Sequence, residues 1–144
     1  MKLSAIIFLI VALLASIAFS VPNNYKHCKD ILKFHEPMDG DIYFINSTQP
    51  VEFEIFKDCY DYDKDIKVSF EVFSVKQNKV VDTIIEQVNL YELPQRIIFL
   101  IDKVWANDNA KYFIIATFFK GYDSEIVSKS GVFTTVNKKS KKYY

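Results

Sequence analysis

Residues 51–56 read VEFEIF, and residues 66–72 read IKVSFEV. In both stretches apolar residues alternate with polar ones, and successive side chains of a β-strand point to opposite faces. The pattern therefore predicts two strands, each with one buried face and one face in solvent. The side chains expected to point inward are those of Val51, Phe53 and Ile55 in the first strand and Ile66, Val68, Phe70 and Val72 in the second.

The rest of the chain reads as further short strands separated by turns. The stronger candidates are residues 80–88, 96–101, 112–119 and 131–136, and the weaker ones are residues 31–34 and 42–45. With only three glycines and four prolines, the turns consist mainly of Asn, Asp and Lys. About seven strands at roughly ten-residue spacing predict an all-β fold, an antiparallel two-sheet sandwich of immunoglobulin or fibronectin-III type.

One local motif supports this class of fold. Residues 108–112 read DNAKY and precede a dense apolar strand. The spacing matches a tyrosine corner, with Asp108 and Tyr112 in the motif and the Tyr112 hydroxyl bonding to the upstream backbone. The alternative is that Tyr112 is an ordinary aromatic strand residue. Ile114 stands where immunoglobulin domains have the second cysteine of their inter-sheet disulfide, so that bridge is absent.

The N-terminus has the three-part pattern of a secretory signal peptide. Lys2 precedes an apolar run over residues 5–14, and small residues then lead to Ser20. We expect cleavage after Ser20 rather than an uncleaved anchor, which would need about 20 apolar residues. The expected organisation is a signal peptide at 1–20, a sandwich domain at 21–137 and a basic disordered tail at 138–144. No second apolar stretch is long enough to span a bilayer, so we expect a secreted, extracellular chain without a membrane span.

In a secreted protein, the two cysteines and the one glycosylation sequon become candidate sites of covalent modification. Cys28 and Cys59 are the only cysteines, so an oxidising compartment allows one internal disulfide, the alternative being free or intermolecular thiols. Closing that loop of about 30 residues would contribute roughly 3–4 kcal/mol of stability. Asn46 begins the only glycosylation sequon, Asn-Ser-Thr, and its use requires Asn46 to lie at the surface.

Two groups of motifs at the ends of the mature chain resemble a known family. Residues 34–41, FHEPMDGD, lead into the strand PVEFEI at 50–55, and the far end runs through Val104-Trp105, Tyr112-Phe113-Ile114 and Ser130-Gly131-Val132-Phe133-Thr134. This order resembles the immunoglobulin-like N-terminal domain of the fungal cell-wall-synthesis family, whose members include Ser/Thr-rich, glycolipid-anchored proteins. The chain lacks the family's strand tryptophan, Ser/Thr-rich stalk and anchor signal. The resemblance implies an extracellular β-sandwich associated with cell-wall glucan assembly or with the wall itself.

Charge and residue content argue against several functions. After removal of residues 1–20, the chain up to Asn137 has 13 basic and 18 acidic side chains, so nucleic acid is not the expected partner. The two histidines, His27 and His35, have no zinc-ligand spacing, and no serine lies in a G-x-S-x-G motif. We therefore expect no enzyme activity and no cofactor. The Lys-rich tail is interpreted as a solubilising segment, or alternatively as a contact for anionic polysaccharide or lipid headgroups.

An acidic segment contains the nearest approach to a metal motif. Asp61, Asp63 and Asp65 match the start of a calcium-binding loop, but Ile66 and Val72 replace the glycine and glutamate that complete it. A solvated acidic loop is the alternative, and no metal site is expected.

Aromatic side chains supply the ligand-contact hypotheses. Tyr60, Tyr62 and Trp105 are candidate contacts for sugar rings, the alternative being ordinary loop or packing roles. Phe73 and the pair Phe118-Phe119 place aromatic residues on both faces of a strand. Such residues indicate a sheet covered by a loop, a dimer interface or a ligand face.

The leading functional hypothesis is a non-enzymatic secreted module that binds or organises cell-wall or extracellular polysaccharide. The first alternative is a small secreted effector or adhesin whose partner is an extracellular protein. The second is a lipid carrier that uses the interior of the sandwich as its pocket. The oligomeric state is not specified by the sequence.

Overall fold

The structure, a computed structural model, describes residues 32–56 and 66–138. Strands form 63% of these residues, and the only helical element among them is a single 3₁₀ turn at Leu90–Glu92. The nine strands are β1 (Leu32–Glu36), β2 (Ile42–Phe44), β3 (Thr48–Ile55), β4 (Lys67–Ser74), β5 (Lys79–Asn89), β6 (Arg96–Leu100), β7 (Ala110–Lys120), β8 (Asp123–Lys129) and β9 (Phe133–Val136). The predicted all-β class is confirmed.

The strands form two sheets. The smaller has the order β1-β3-β6, and the larger has the order β2-β9-β7-β4-β5, with β8 also paired to β7. β8 and β9 lie along the same edge of β7, because β9 pairs with residues 110–112 and β8 with residues 115–120. β4 pairs along the opposite edge of β7.

Aromatic side chains from both sheets fill the space between them. Phe53 of the smaller sheet packs edge-on against Phe70 of the larger, with ring centroids 4.9 Å apart. Phe99 and Phe133 make a second contact between the sheets at 6.3 Å. The inward positions predicted from the alternating pattern in residues 51–53 and 66–72 are buried. Burial of these side chains is the main source of stability for such a sandwich.

The first and the last segments of the sandwich are each divided into two strands. The first is interrupted at Pro37, which has no N–H to donate to a ladder, so that β1 joins the smaller sheet and β2 the larger. The last is interrupted around Gly131, which separates β8 from β9. β2 then pairs with β9 in parallel, so the larger sheet is mixed and not purely antiparallel as expected.

Hydrogen bonds join the chain segment at Pro37 to the segment at Gly131. Gly131 donates its N–H to the Pro37 carbonyl, and Val132 donates to the Asp39 carboxylate at 2.7 Å. A Cβ atom on Gly131 would lie 2.2 Å from the Asp39 nitrogen and 2.3 Å from the Met38 carbonyl carbon. Backbone atoms cannot move aside as a flexible side chain can, so this position requires glycine.

β5 forms one edge of the larger sheet. It is 11 residues long, and its pairing with β4 shifts register at three places. One irregular segment includes Gln87, which has a φ of 46° and donates its N–H to the Ser69 hydroxyl. Such bulges increase the local twist of a strand.

Candidate functional site

The outer side of the larger sheet carries a pair of stacked aromatic rings. Phe70 and Val72 point into the core, so Phe73 points outward and lies directly opposite Phe113 of β7. The two ring centroids are 5.0 Å apart and the ring planes differ by 28°. Lys129 of β8 approaches Phe113 from the other side, with its Nζ 5.6 Å from the ring centroid. Phe113 therefore has an aromatic neighbour on one side and a cation on the other.

Exposed aliphatic side chains surround these rings. Val75 and Ile126 are 46% and 53% exposed, and Val80 lies opposite Phe73 on the neighbouring strand. The two rings, Val75, Ile126 and the underlying Ile115 line a shallow depression of about 370 Å³. Scattered apolar residues are ordinary on a protein surface, but a contiguous group of this kind indicates an interaction site.

Further exposed apolar side chains lie at the other edge of the same sheet. Tyr43 of β2 points inward, so its neighbours Ile42 and Phe44 point outward, and they are 64% and 47% exposed. They lie opposite Thr134 and Val136 of β9. We call this whole surface the outer apolar face, defined by Ile42, Phe44, Phe73, Val75, Val80, Phe113, Ile115 and Ile126.

The smaller sheet presents a more polar outer side. Arg96 forms an ion pair with Glu52 at 3.2 Å, and His35 lies 3.5 Å from Glu54. These groups line an open groove of about 410 Å³. All four side chains are well exposed, so each pair contributes less than about 1 kcal/mol. These solvated charged groups are typical of an ordinary protein surface and do not indicate a ligand-binding site.

A third depression lies where β7 turns into β8. It has a volume of about 400 Å³, with Ile66 and Phe118 in its floor. Its rim carries Lys120 and the polar residues at the start of β8, Asp123, Ser124 and Glu125. The carboxylates on this rim are exposed to solvent, so this depression provides no specific ligand geometry.

Tyr112 is buried, and its hydroxyl bonds to the backbone upstream of β7. It donates to the Trp105 carbonyl at 3.0 Å and accepts the Asn107 N–H at 3.1 Å. Asp108 of the same motif accepts the Asn137 N–H at 2.8 Å, just beyond β9. The hydroxyl therefore joins the loop before β7 to the strand.

Trp105 lies in the core, where it is only 7% exposed. Its ring packs edge-on against Tyr112, with centroids 5.1 Å apart. A sugar ring stacks on an exposed aromatic face, so this position fits the packing role and not the sugar contact suggested for Trp105. Its indole N–H is buried without a hydrogen-bond partner in the described structure.

Asn46 lies in the turn between β2 and β3, is exposed and has a φ of 64°. Its N–H donates to the Ile101 carbonyl, while the following Ser47 hydroxyl donates to the Phe44 carbonyl. Surface exposure is the structural requirement for use of the sequon.

Several predicted site residues fall outside the described residues. These are both cysteines of the expected disulfide, the three aspartates of the calcium motif and two candidate sugar contacts: Cys28, Cys59, Asp61, Asp63, Asp65, Tyr60 and Tyr62. The signal peptide and the tail beyond Lys138 also lie outside them.

Part of the outer apolar face was missed in the sequence. Phe73 stood out as an aromatic residue of outward parity, and Phe119 is indeed directed outward while Phe118 is buried. Ile115 was not recognised on the outward side of β7, and Ile126 and Lys129 were not recognised because β8 was not predicted. Its sequence, DSEIVSK, contains only two apolar residues, although it forms a seven-residue strand beside β7.

Within residues 32–56 and 66–138 no cluster of three His, Cys, Asp or Glu side chains has the geometry of a metal site. No helix in these ranges is long and apolar enough to cross a bilayer. Neither a protein-family model nor a curated protein sequence matches the chain.

Proposed function

We propose that this chain is a secreted, non-enzymatic β-sandwich module that binds another protein through the outer apolar face. The observation that carries the proposal is the stacked Phe73–Phe113 pair among exposed aliphatic side chains on one side of a sheet. Aromatic side chains in such a group lose a large apolar area to a partner and are enriched at the centres of protein interfaces. Their placement on paired strands fixes them before binding, which lowers the entropy lost on association.

The geometry of Phe113 favours a protein partner over polysaccharide. A sugar ring needs a free aromatic face on which to stack, but Phe73 and Lys129 approach Phe113 from opposite sides. Phe73 in turn has one face directed at Phe113. Apolar side chains from a partner protein can instead pack against the ring edges and the neighbouring aliphatic groups. Polysaccharide binding, with Tyr60 and Tyr62 as its remaining candidate contacts, stays a prediction, as does the resemblance to the fungal cell-wall family.

The lipid-carrier alternative requires an internal pocket between the sheets. In the described residues this interior is occupied by packed side chains, among them Phe53, Phe70, Phe99 and Phe133. The three depressions described above are all open and lie at the protein surface. Because they are open to solvent, they suit contact with a few side chains better than enclosure of an acyl chain.

We also propose that the sandwich is immunoglobulin-like. Three features support this: the sheets β1-β3-β6 and β2-β9-β7-β4-β5, the first strand divided between them, and the hydrogen bonds of Tyr112. Domains of this class bind partners through both loops and sheet faces. The signal-like N-terminus and the exposed Asn46 support the extracellular location.

Site-specific photo-crosslinking tests the proposed function. A photoreactive phenylalanine derivative replaces Val75 on the outer apolar face, and in a control it replaces Ile98, which is similarly exposed on the smaller sheet. We expect protein adducts from position 75 and few from position 98 when the protein is secreted in its native setting. Equal labelling at both positions would contradict the proposal. Absence of adducts together with retention on insoluble β-glucan or chitin would favour the polysaccharide hypothesis instead.

A further inference from the structure

A row of three side chains crosses the centre of the outer apolar face. Ile115 of β7 lies directly opposite Glu71 of β4 on one side and Lys129 of β8 on the other. Neighbouring strands are about 4.8 Å apart, so the acidic and basic positions lie at equal distances from Ile115. The row therefore has a negative end, an apolar middle and a positive end.

This order is complementary to itself. When two sheets face each other, a two-fold axis running along β7 between them exchanges the two sides of the row. Lys129 of one copy then faces Glu71 of the second copy, and the same contact occurs twice by symmetry. An axis across the strands would instead place Lys129 opposite Lys129, so the charges select one orientation.

A second position fits the same axis. Lys67 of β4 lies opposite Phe119, which lies opposite Ser124 of β8. The exchange brings the exposed Lys67 toward the neutral Ser124 of the second copy, so no like charges meet at this position. Lys111 would meet its own symmetry copy, but it lies four residues from Ile115, about 13 Å along the strand, where twisted sheets diverge.

We propose that the partner of the outer apolar face is a second copy of this chain, bound face to face about a two-fold axis along β7. The inference rests on the proposed function, since it names the protein that this face binds. Phe113 and Ile115 lie near the axis, and the two Glu71–Lys129 contacts flank them. Complementary charges of this kind fix the orientation of an interface whose apolar centre supplies the affinity.

Charge exchange tests this dimer directly. Sedimentation velocity across the micromolar range is measured for the wild type, for Glu71→Lys, for Lys129→Glu and for the double variant. Either single variant creates two like-charge contacts, so we expect its dimer to dissociate about 10- to 30-fold more readily. The double variant restores the complementarity, and an equimolar mixture of the two single variants is expected to form a heterodimer. As matched controls, Lys33→Glu and Glu54→Lys alter an opposite-charge cross-strand pair on the other sheet and are expected to leave dimerisation unchanged.

Three outcomes would overturn the inference: a wild type that stays monomeric throughout the range, a dimer that neither single variant weakens, or single variants that dissociate and do not associate when mixed. A monomeric wild type whose position 75 still crosslinks to a different protein would refute the dimer while leaving the proposed function intact. A wild-type dimer weakened only by the control variants would place the interface on the smaller sheet and refute both.

Discussion

Replacement of Tyr112 by Phe tests how much the loop before β7 depends on one hydroxyl group. The ring remains buried against Trp105, so apolar packing is preserved and only two hydrogen bonds are lost. Each such bond contributes about 1 kcal/mol net, and an orphaned buried group costs more. The Trp105 carbonyl keeps a longer bond from the Asn107 side chain at 3.3 Å, which limits the loss. We therefore expect a destabilisation of about 2 kcal/mol.

Urea unfolding at neutral pH measures this effect, with fluorescence and circular dichroism as independent probes. Tyr43→Phe is the matched control, because its hydroxyl makes one bond, to Asp41 at 3.1 Å, in a partly exposed setting. We expect the control to lose less than about 1 kcal/mol with the same denaturant dependence. A Tyr112→Phe variant within about 0.5 kcal/mol of the wild type would refute the reasoning, since it would mean that water replaces the hydroxyl without cost.

Two further predictions concern a glycine and an ionisable side chain. Gly131→Ala should lose more than about 3 kcal/mol of stability in thermal or urea unfolding, or fail to fold, because the added Cβ meets backbone atoms. Gly121→Ala is the control: it has open space but a φ of 61°, so it should lose only about 1–2 kcal/mol. Similar losses for both variants would contradict the close approach at Gly131. Burial, followed by the charge of Asp41, raises the pKa of Tyr43 well above 10. The stability that the neutral hydroxyl contributes is therefore present below pH 10 and lost as the pH rises above it. Between pH 8 and 11 the free energy of unfolding of the wild type should fall by about 1.4 kcal/mol more than that of Tyr43→Phe. Parallel pH profiles of the two proteins would exclude this role.

The strands of strong alternation could be predicted because one residue pattern determines which face is buried. Residues 66–72 show this clearly, since the apolar positions are the buried ones and Glu71 points outward. The same reasoning did not find β8, whose pairing with β7 comes mostly from backbone hydrogen bonds that a sequence pattern does not register. Residues 31–34 and 42–45 were predicted as separate strands, but their placement in different sheets was not, because it depends on the distant pairing of β2 with β9.

The candidate site was harder to predict than the fold. Outward parity identified Phe73, but its neighbours come from three different strands, and their proximity depends on register. Trp105 illustrates the opposite problem. Its position in a loop suggested exposure, whereas hydrogen bonds from Tyr112 and packing against its ring hold that loop over the core.

The register shifts between β4 and β5 have a consequence for the chain at high concentration. A long, regular edge strand offers a row of backbone donors and acceptors to which any extended segment can add, and this is a common start of aggregation. The pairing of the 11-residue β5 with β4 shifts register three times, and the left-handed backbone at Gln87 turns its peptide groups out of line. Addition of a foreign strand is therefore disfavoured at this edge.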